Sequence, residues 1–221
     1  MIATLLDFDG VIVDSERVHL AAFNDVLAQE SLEITEREYF DQYLSLDDAG
    51  VFRAVLARNG RTFGAEQVGA FVAAKSPRFL ARFEDQFRVF PGAYDLIARR
   101  SARGPVGIVS GALEREITFA LERIGARSRI AFVVSAERAT ASKPDPAPFQ
   151  MAREELRHLG YEGQAVAVED STGGVISAKS AGFRCVAVSH SYASGDLIRA
   201  GADAVAADLA SLTDSLLEEG L

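Results

Sequence analysis

Short apolar runs alternate with longer amphipathic segments along most of this chain. Runs of three to five apolar residues, without polar alternation, are typical of strands buried on both faces of a parallel sheet. The predicted strands are residues 2–6, 106–109, 131–134, 165–168 and 185–188. Helical spacing of apolar positions predicts helices at residues 93–100, 113–124, 147–159 and 174–181. Strands that alternate with helices in this way predict an α/β fold built on a parallel sheet.

The segment from residue 15 to residue 85 has a different pattern. Its apolar positions predict four helices and no strand, at residues 16–30, 36–44, 49–58 and 65–83. The strand at residues 2–6 must nevertheless join the sheet formed further along the chain. The sequence therefore predicts a core of residues 1–14 and 86–221, interrupted by an inserted helical domain of residues 15–85 with a hinge at each linker.

The first strand ends in two acidic residues and a glycine. Asp7 and Asp9 are two positions apart, so in an extended backbone both carboxylates lean to one side, and Gly10 lets the chain turn sharply. Carboxylates held this close repel each other unless a cation or a shared proton offsets their charge. Mg²⁺ is the usual cation for such a site. The alternative is an ordinary polar turn, since Asp and Gly are common turn residues.

Polar residues also follow two later strands, and ligands of open parallel sheets bind at these carboxyl ends. Ser110-Gly111-Ala112 offers a hydroxyl and backbone N–H groups to a phosphate, although Ser110 could equally be a helix N-cap. Glu169 and Asp170 again call for a cation, with an N-cap role for Asp170 as the alternative. Lys143, between Ser142 and Pro144, could hold an anion; a solvated surface lysine is the alternative.

Composition restricts the possible partners and location. The formal charge is −9, with the excess acid spread along the chain, which argues against a nucleic acid or an anionic membrane as partner. The single Cys185 excludes an internal disulfide. No apolar run is long enough to span a bilayer, and residues 1–4 lack the basic start of a signal peptide. These features predict a cytoplasmic location.

Taken in order, these motifs make the chain resemble the haloacid dehalogenase superfamily of phosphohydrolases, within its β-phosphoglucomutase-like group. The stretch DFDGVIVDSE at residues 7–16 matches the first motif of that family. Ser110-Gly111 matches the second motif, Ser142-Lys143-Pro144 the third, and Val168-Glu169-Asp170-Ser171 the fourth. The resemblance implies a Rossmann-like, three-layer core with an inserted α-helical cap that selects the substrate.

The resemblance also implies a role for each matching residue. Asp7 would be the nucleophile that forms an aspartyl-phosphate, and Asp9 would be the general acid and base, with its backbone carbonyl on the metal. Ser110 would bind the phosphoryl group together with the N–H of Gly111 or Ala112.

In the implied site, Lys143 and Mg²⁺ would offset the repulsion between the carboxylate of Asp7 and the incoming phosphate. Asp7, Asp9 and Asp170 would hold the metal, and Glu169 would touch the ion or hold its waters. A carboxylate at Asp9, which dehalogenases of the superfamily lack, points to phosphate rather than halide substrates.

The resemblance also directs attention to residues of the inserted domain. His19 occupies a position where this group commonly has a histidine near the leaving group; a purely structural histidine is the alternative. His158 and His190 match no motif and are interpreted as structural. The stretch Tyr43-Leu44-Ser45-Leu46-Asp47-Asp48 is acidic where sugar phosphomutases of the group carry basic residues for a distal phosphate. Arg53, Arg58, Lys75 or Arg78 could supply the positive charge that this stretch lacks for a distal phosphate.

The sequence therefore predicts a Mg²⁺-dependent phosphatase that acts on a small phosphate monoester, such as a phosphosugar or a related metabolite. A sugar phosphomutase is the alternative within enzymes. A metabolite-binding protein that has lost turnover is the alternative outside them. The oligomeric state leaves no readable signal in the sequence.

Overall fold

The computed structural model describes residues 1–44 and 46–221, so Ser45 lies outside the description. The chain divides into two compact units. The first, called the core here, comprises Met1–Asp14 and Val89–Leu221; the second, called the cap, is Ser15–Arg88. The second boundary thus follows Arg88 rather than residue 85, because the last cap helix continues to Gln86 instead of ending at the predicted residue 83.

The elements are numbered along the chain. The strands are β1 Ala3–Leu6, β2 Val13–Asp14, β3 Arg88–Val89, β4 Val106–Val109, β5 Phe132–Val134, β6 Ala165–Glu169, β7 Arg184–Val188 and β8 Ala204–Ala206. The helices are α1 Glu16–Leu27, α2 Glu36–Glu38, α3 Asp48–Arg58, α4 Ala65–Gln86, α5 Ala93–Ser101, α6 Glu114–Arg123, α7 Ala147–His158, α8 Thr172–Ser180, α9 Ser194–Arg199 and α10 Asp214–Glu218. None of the helices in the described residues is long and apolar enough to cross a bilayer.

Six of the strands form one sheet in the order β5-β4-β1-β6-β7-β8, and every pair in it is parallel. From β1 the chain proceeds to β4 and β5 on one side, then returns to β6, β7 and β8 on the other. Right-handed crossovers that run in opposite directions place their helices on opposite faces of a sheet. This confirms the predicted Rossmann-like α/β fold.

The apolar runs lie in the strands because these strands are covered on both faces. All residues of β1, β4, β5 and β6 are buried, including Thr4 and Glu169. The order of the strands reverses around β1 and β6, which is where ligands bind in folds of this type. The residues that follow these two strands are therefore the first to examine for chemistry.

Some short elements differ from the sequence-based expectation. The sixth strand of the sheet, β8, and helices α9 and α10 were not predicted, because three to six residues give too little periodicity to detect. Residues 36–44 were predicted as one helix. The structure has the three-residue α2 followed by a π-helical turn over Tyr39–Tyr43.

The cap has a hydrophobic core of its own. Its buried side chains come from α1, α3, α4 and the π-helical turn, and from Ile34 between α1 and α2, and several of them are aromatic. Phe52 packs edge-on against Phe23, with ring centroids 5.2 Å apart, and stacks on Phe71 at 5.5 Å. Such contacts bury large apolar areas and favour a single packing arrangement. The inserted segment is thus a packed unit rather than a long loop.

A buried arginine connects the C-terminal helix of the core to the first strand. Arg100 in α5 is completely buried, and its guanidinium donates to Thr4 Oγ1 at 2.9 Å. The same group donates to Asp214 Oδ1 at 2.9 Å and to Glu218 Oε1 at 2.6 Å, both in α10. These bonds compensate for the cost of burying the charge.

We expect Arg100→Met to lower the free energy of unfolding by roughly 3 kcal/mol, because it removes the completely buried guanidinium that joins Thr4 to the partly buried carboxylates of Asp214 and Glu218. Arg103→Met is the matched control. Arg103 is 46% exposed and also pairs with Glu218, so its loss should cost less than about 1 kcal/mol. Chemical denaturation of the three proteins measures the difference, and equal losses would contradict the role given to Arg100.

Candidate active site

The loop after β1 reverses direction within a few residues. The Asp7 N–H donates to the carbonyl of Val168 at 3.0 Å, so Asp7 still lies beside β6. The carbonyl of Phe8 then accepts from the N–H groups of Ile12 and Val13, at 2.8 and 3.0 Å. Gly10 has φ +76°, a conformation that favours glycine. The turn leaves Asp7 at the carboxyl end of the strand.

Three buried carboxylates meet at this edge of the sheet. Asp7, Glu169 and Asp170 each offer an oxygen, and these oxygens lie within 4.8 Å of one another. The residues are 7%, 0% and 4% exposed. Their proximity follows from the pairing of β1 with β6. In the described part of the chain, the Asp9 side chain is not a member of this carboxylate group.

Lys143 contributes a positive charge to the cluster. Its Nζ donates to Asp7 Oδ1 at 2.8 Å, to Glu169 Oε1 at 2.5 Å and to the carbonyl of Val109 at 2.8 Å. Lys143 is therefore not a solvated surface lysine. Burial alone would lower the pKa of its ammonium group, but the charges of Asp7 and Glu169 raise that pKa above its usual range.

The electrostatics of the cluster leave room for another cation. Burial, followed by the charge of Asp7, raises the pKa of Glu169 to about 7, while Lys143 opposes the shift. Lys143 pairs with two of the three carboxylates, so the cluster has an excess of negative charge when all are ionised. Carboxylate oxygens are hard donors that suit Mg²⁺. The donor set therefore fits the predicted metal.

The loop after β4 presents Ser110 and Gly111 beside this cluster. Ser110 is not the N-cap of α6, because the helix begins at Glu114 with Leu113 at that position. Instead the Ser110 hydroxyl accepts from the Ala112 N–H at 3.0 Å. In the part of the chain that the structure describes, the Gly111 N–H donates to no protein acceptor, and no atom lies within 4 Å of the place a Cβ would take. Of the two N–H groups considered from the sequence, that of Gly111 is therefore better placed to bind an anion, because that of Ala112 is bonded to Ser110.

Asp170 and Ser171, which follow β6, have different roles. Ser171 is the N-cap of α8, since its hydroxyl accepts from the Gly174 N–H at 3.0 Å. Asp170 does not cap the helix and keeps its carboxylate at the cluster.

His19 and Lys75, two of the cap residues named from the sequence, lie together within the cap. His19 stacks on Phe79 with centroids 4.1 Å apart, and its Nδ1 lies 2.8 Å from Nζ of Lys75. The same ammonium group donates to Asp48 Oδ1 at 2.5 Å. Burial and the charge of Lys75 keep the pKa of His19 well below its usual value, so the imidazole is neutral. A contact of His19 with substrate stays a prediction.

The acidic stretch 43–48 contributes to the structure of the cap, apart from Ser45, which lies outside the described residues. Asp47 caps α3 by accepting from the Gly50 N–H at 2.7 Å, and Asp48 pairs with Lys75. Arg58 pairs with Glu38 at 2.5 Å. Two of the four basic residues considered as partners for a distal phosphate are thus already paired with carboxylates inside the cap.

Two residues at the site were missed by the sequence analysis. The Ser191 hydroxyl donates to Oδ2 of Asp170, and His190 Nδ1 lies 2.7 Å from the carbonyl oxygen of Gly10. Both follow β7, the neighbour of β6. Extending the strand-end rule to β7 would have identified them. The sequence analysis interpreted His190 as structural, and its contact with the backbone of Gly10 is of that kind.

Comparison with known proteins identifies the family. The family model for haloacid dehalogenase-like hydrolases matches residues 4–188. The chain belongs to this family. The predicted resemblance is thereby confirmed.

Relatives of this hydrolase indicate its class. A phosphoglycolate phosphatase of Rhodospirillum rubrum is 33% identical and aligns over 97% of this chain and 90% of its own. A phosphoglycolate phosphatase of Caulobacter vibrioides is 30% identical over 90% of this chain and 84% of its own. The crystal structure of CbbY from Rhodobacter sphaeroides in complex with phosphate is similar with a TM-score of 0.82, at 25% identity, covering 98% of this chain and 99% of that one. The chain is a phosphoric monoester hydrolase.

Two adjacent glycines test how closely the cluster is packed. A Cβ on Gly174 would lie 1.9 Å from Glu169 Oε2, whereas one on Gly173 would meet nothing nearer than 4.0 Å. We expect Gly174→Ala to lower the free energy of unfolding by roughly 1–3 kcal/mol, since Glu169 is buried and bonded to Lys143.

Gly173→Ala is the control and should be neutral or raise the stability by up to about 1 kcal/mol, because alanine favours a helix. Urea denaturation measures both changes. A Gly174→Ala protein as stable as the Gly173→Ala protein would show that Glu169 is free to move.

Proposed function

We propose that this haloacid dehalogenase-like phosphatase hydrolyses a small phosphate monoester with Mg²⁺, through an aspartyl-phosphate on Asp7. The observation that supports this most directly is the Asp7 carboxylate at the end of β1, bonded to Lys143 and grouped with Glu169 and Asp170. A buried carboxylate at a strand end is held in one orientation, as a nucleophile requires.

In the first step one oxygen of Asp7 attacks phosphorus and the bond from phosphorus to the ester oxygen breaks. Asp9 gives its proton to the departing oxygen, so the product leaves as an alcohol. In the second step Asp9 takes a proton from water, the resulting hydroxide attacks the phosphorus of the aspartyl-phosphate, and the bond from phosphorus to the Asp7 oxygen breaks. Inorganic phosphate is released and both carboxyl groups return to their first state. Asp9 is less buried than Asp7, which suits a group that meets solvent water.

The transferred phosphoryl group carries negative charge that the protein must offset. Lys143 supplies a fixed ammonium group, and the Ser110 hydroxyl and the Gly111 N–H supply neutral donors. Because Lys143 also binds Asp7, it aligns the nucleophile as well as the anion.

The carboxylates of Asp7 and Asp170 would hold the metal together with the backbone carbonyl of Asp9. Glu169, which is bonded to Lys143, would contact the ion or its water ligands. When bound, Mg²⁺ would reduce the repulsion between the phosphate and the acidic cluster. Ion binding would also relieve the repulsion among the three carboxylates themselves.

The natural substrate is expected to be a small phosphorylated metabolite. The names of the two relatives make 2-phosphoglycolate the first compound to test, and phosphosugars remain the class predicted from the sequence. The mutase alternative is weakened by the pairing of Lys75 with Asp48 and of Arg58 with Glu38, which engages two of the four basic residues considered for a distal phosphate. A cytoplasmic location stays a prediction.

Phosphate release from a panel of monoesters tests this function. The panel contains 2-phosphoglycolate, hexose and pentose phosphates, and β-glucose 1-phosphate with its bisphosphate activator, each with Mg²⁺ and with chelator. We expect release that requires Mg²⁺. Conversion of glucose 1-phosphate to glucose 6-phosphate without release would establish a mutase instead.

We expect Asp7→Asn to reduce kcat by at least about a thousandfold, equivalent to about 4 kcal/mol of activation free energy, because an amide is not nucleophilic. Asp95→Asn, an exposed change in α5, is the matched control and should retain full activity. Circular dichroism checks that both proteins are folded. An Asp7→Asn protein with most of its activity would exclude Asp7 as the nucleophile.

Lys143→Ala should raise KM and lower kcat together, since one ammonium group contacts both the anion and the nucleophile. Lys179→Ala removes a lysine that pairs with Asp203 at 2.7 Å and should leave both constants unchanged. Steady-state kinetics on the best substrate measures the effect. A change in KM alone would restrict Lys143 to substrate binding.

A further inference from the structure

The loop that follows β7 contacts the acidic cluster at Asp170 and the turn after β1 at Gly10. Ser189 leaves the strand, and the next two side chains turn toward the loop after β1 and the segment after β6. β7 lies beside β6 in the sheet, so its carboxyl end is adjacent to Asp170. All of these residues belong to the core unit.

The first contact is the hydrogen bond from Ser191 Oγ to Oδ2 of Asp170. Asp170 is 4% exposed, and its carboxylate also packs against Gly10, where a Cβ would lie 1.8 Å from the same oxygen. The carboxylate is therefore confined between the backbone of Gly10 and the hydroxyl of Ser191. A carboxylate confined in this way has lost its rotational freedom before any ligand arrives.

The second contact is the hydrogen bond between His190 and the backbone of Gly10. A carbonyl oxygen only accepts hydrogen bonds, so His190 Nδ1 must carry the proton that it donates to Gly10 O at 2.7 Å. The imidazole stacks on Phe90, with ring centroids 4.0 Å apart and planes 15° apart. The stacked ring fixes the peptide of Gly10, which follows Asp9 directly.

We infer that Ser191 is a positioning residue for the metal site, which orients Asp170 so that one carboxylate oxygen faces the ion while the other accepts from the hydroxyl. His190 supports the same arrangement by fixing the turn at Gly10. Partners of metal ligands commonly orient the ligands and adjust their affinity. This inference rests on the proposed metal site.

Binding of Mg²⁺ to the full-length, metal-free protein tests the inference without any substrate. Isothermal titration calorimetry gives the dissociation constant. We expect Ser191→Ala to raise the dissociation constant for Mg²⁺ by about tenfold, because the freed carboxylate must be ordered when the ion binds. Ser191→Thr keeps a hydroxyl and should return the constant to within about threefold of the wild-type value.

Ser189→Ala is the matched control. Its hydroxyl lies 3.4 Å from the carbonyl of Ala206 in β8 and not at the cluster, so its removal should leave the constant unchanged. Thermal unfolding verifies that all four proteins are folded. Wild-type affinity in Ser191→Ala, or an equal loss in Ser189→Ala, would overturn the inference.

The titration also separates this inference from the proposed function. If the wild-type protein binds Mg²⁺ and Ser191→Ala binds it equally well, only the role of Ser191 fails. If the wild-type protein does not bind Mg²⁺, the metal site itself fails, and the role of Ser191 fails with it.

Discussion

Mutual repulsion among three buried carboxylates is the constraint on which the rest of the core depends. Asp7, Glu169 and Asp170 come from the ends of two paired strands and are almost completely buried. Such an arrangement is costly unless positive charge and close hydrogen bonds compensate for it. Lys143 provides part of the compensation. The divalent cation proposed for this site would remove the remaining repulsion when it binds.

Much of this site could be predicted because parallel sheets bring strand ends together. The residues at 7, 110 and 170 are far apart in sequence, but each follows an apolar run, and the fold determines that such runs end at one edge. Lys143 follows a longer loop after β5, so its distance in sequence from that strand does not predict where its side chain lies. Its place beside Asp7 was predictable only through the family resemblance, which supplied the third motif.

Other parts of the structure could not be predicted, for identifiable physical reasons. Ser191 and His190 are ordinary loop residues in sequence, and their importance depends on which strand neighbours β6. Asp48 and Lys75 are 27 positions apart in sequence and lie on two different cap helices, so no local pattern reveals that they pair. The edge strand β8 is only three residues long. Contacts of this kind depend on tertiary packing, which the intrinsic preference of a residue for helix or strand does not predict.

The internal pairing of charges in the cap has a consequence for how the enzyme family diversifies. Lys75 is 2% exposed and is matched by Asp48 within the same unit, and the cap packs around its own aromatic core. An insertion that pairs its buried lysine and packs its aromatic side chains within itself is stabilised by its own contacts. If the cap selects the substrate, as the family resemblance implies, changes in this one contiguous segment would alter the range of substrates without altering the strand ends proposed to perform the chemistry.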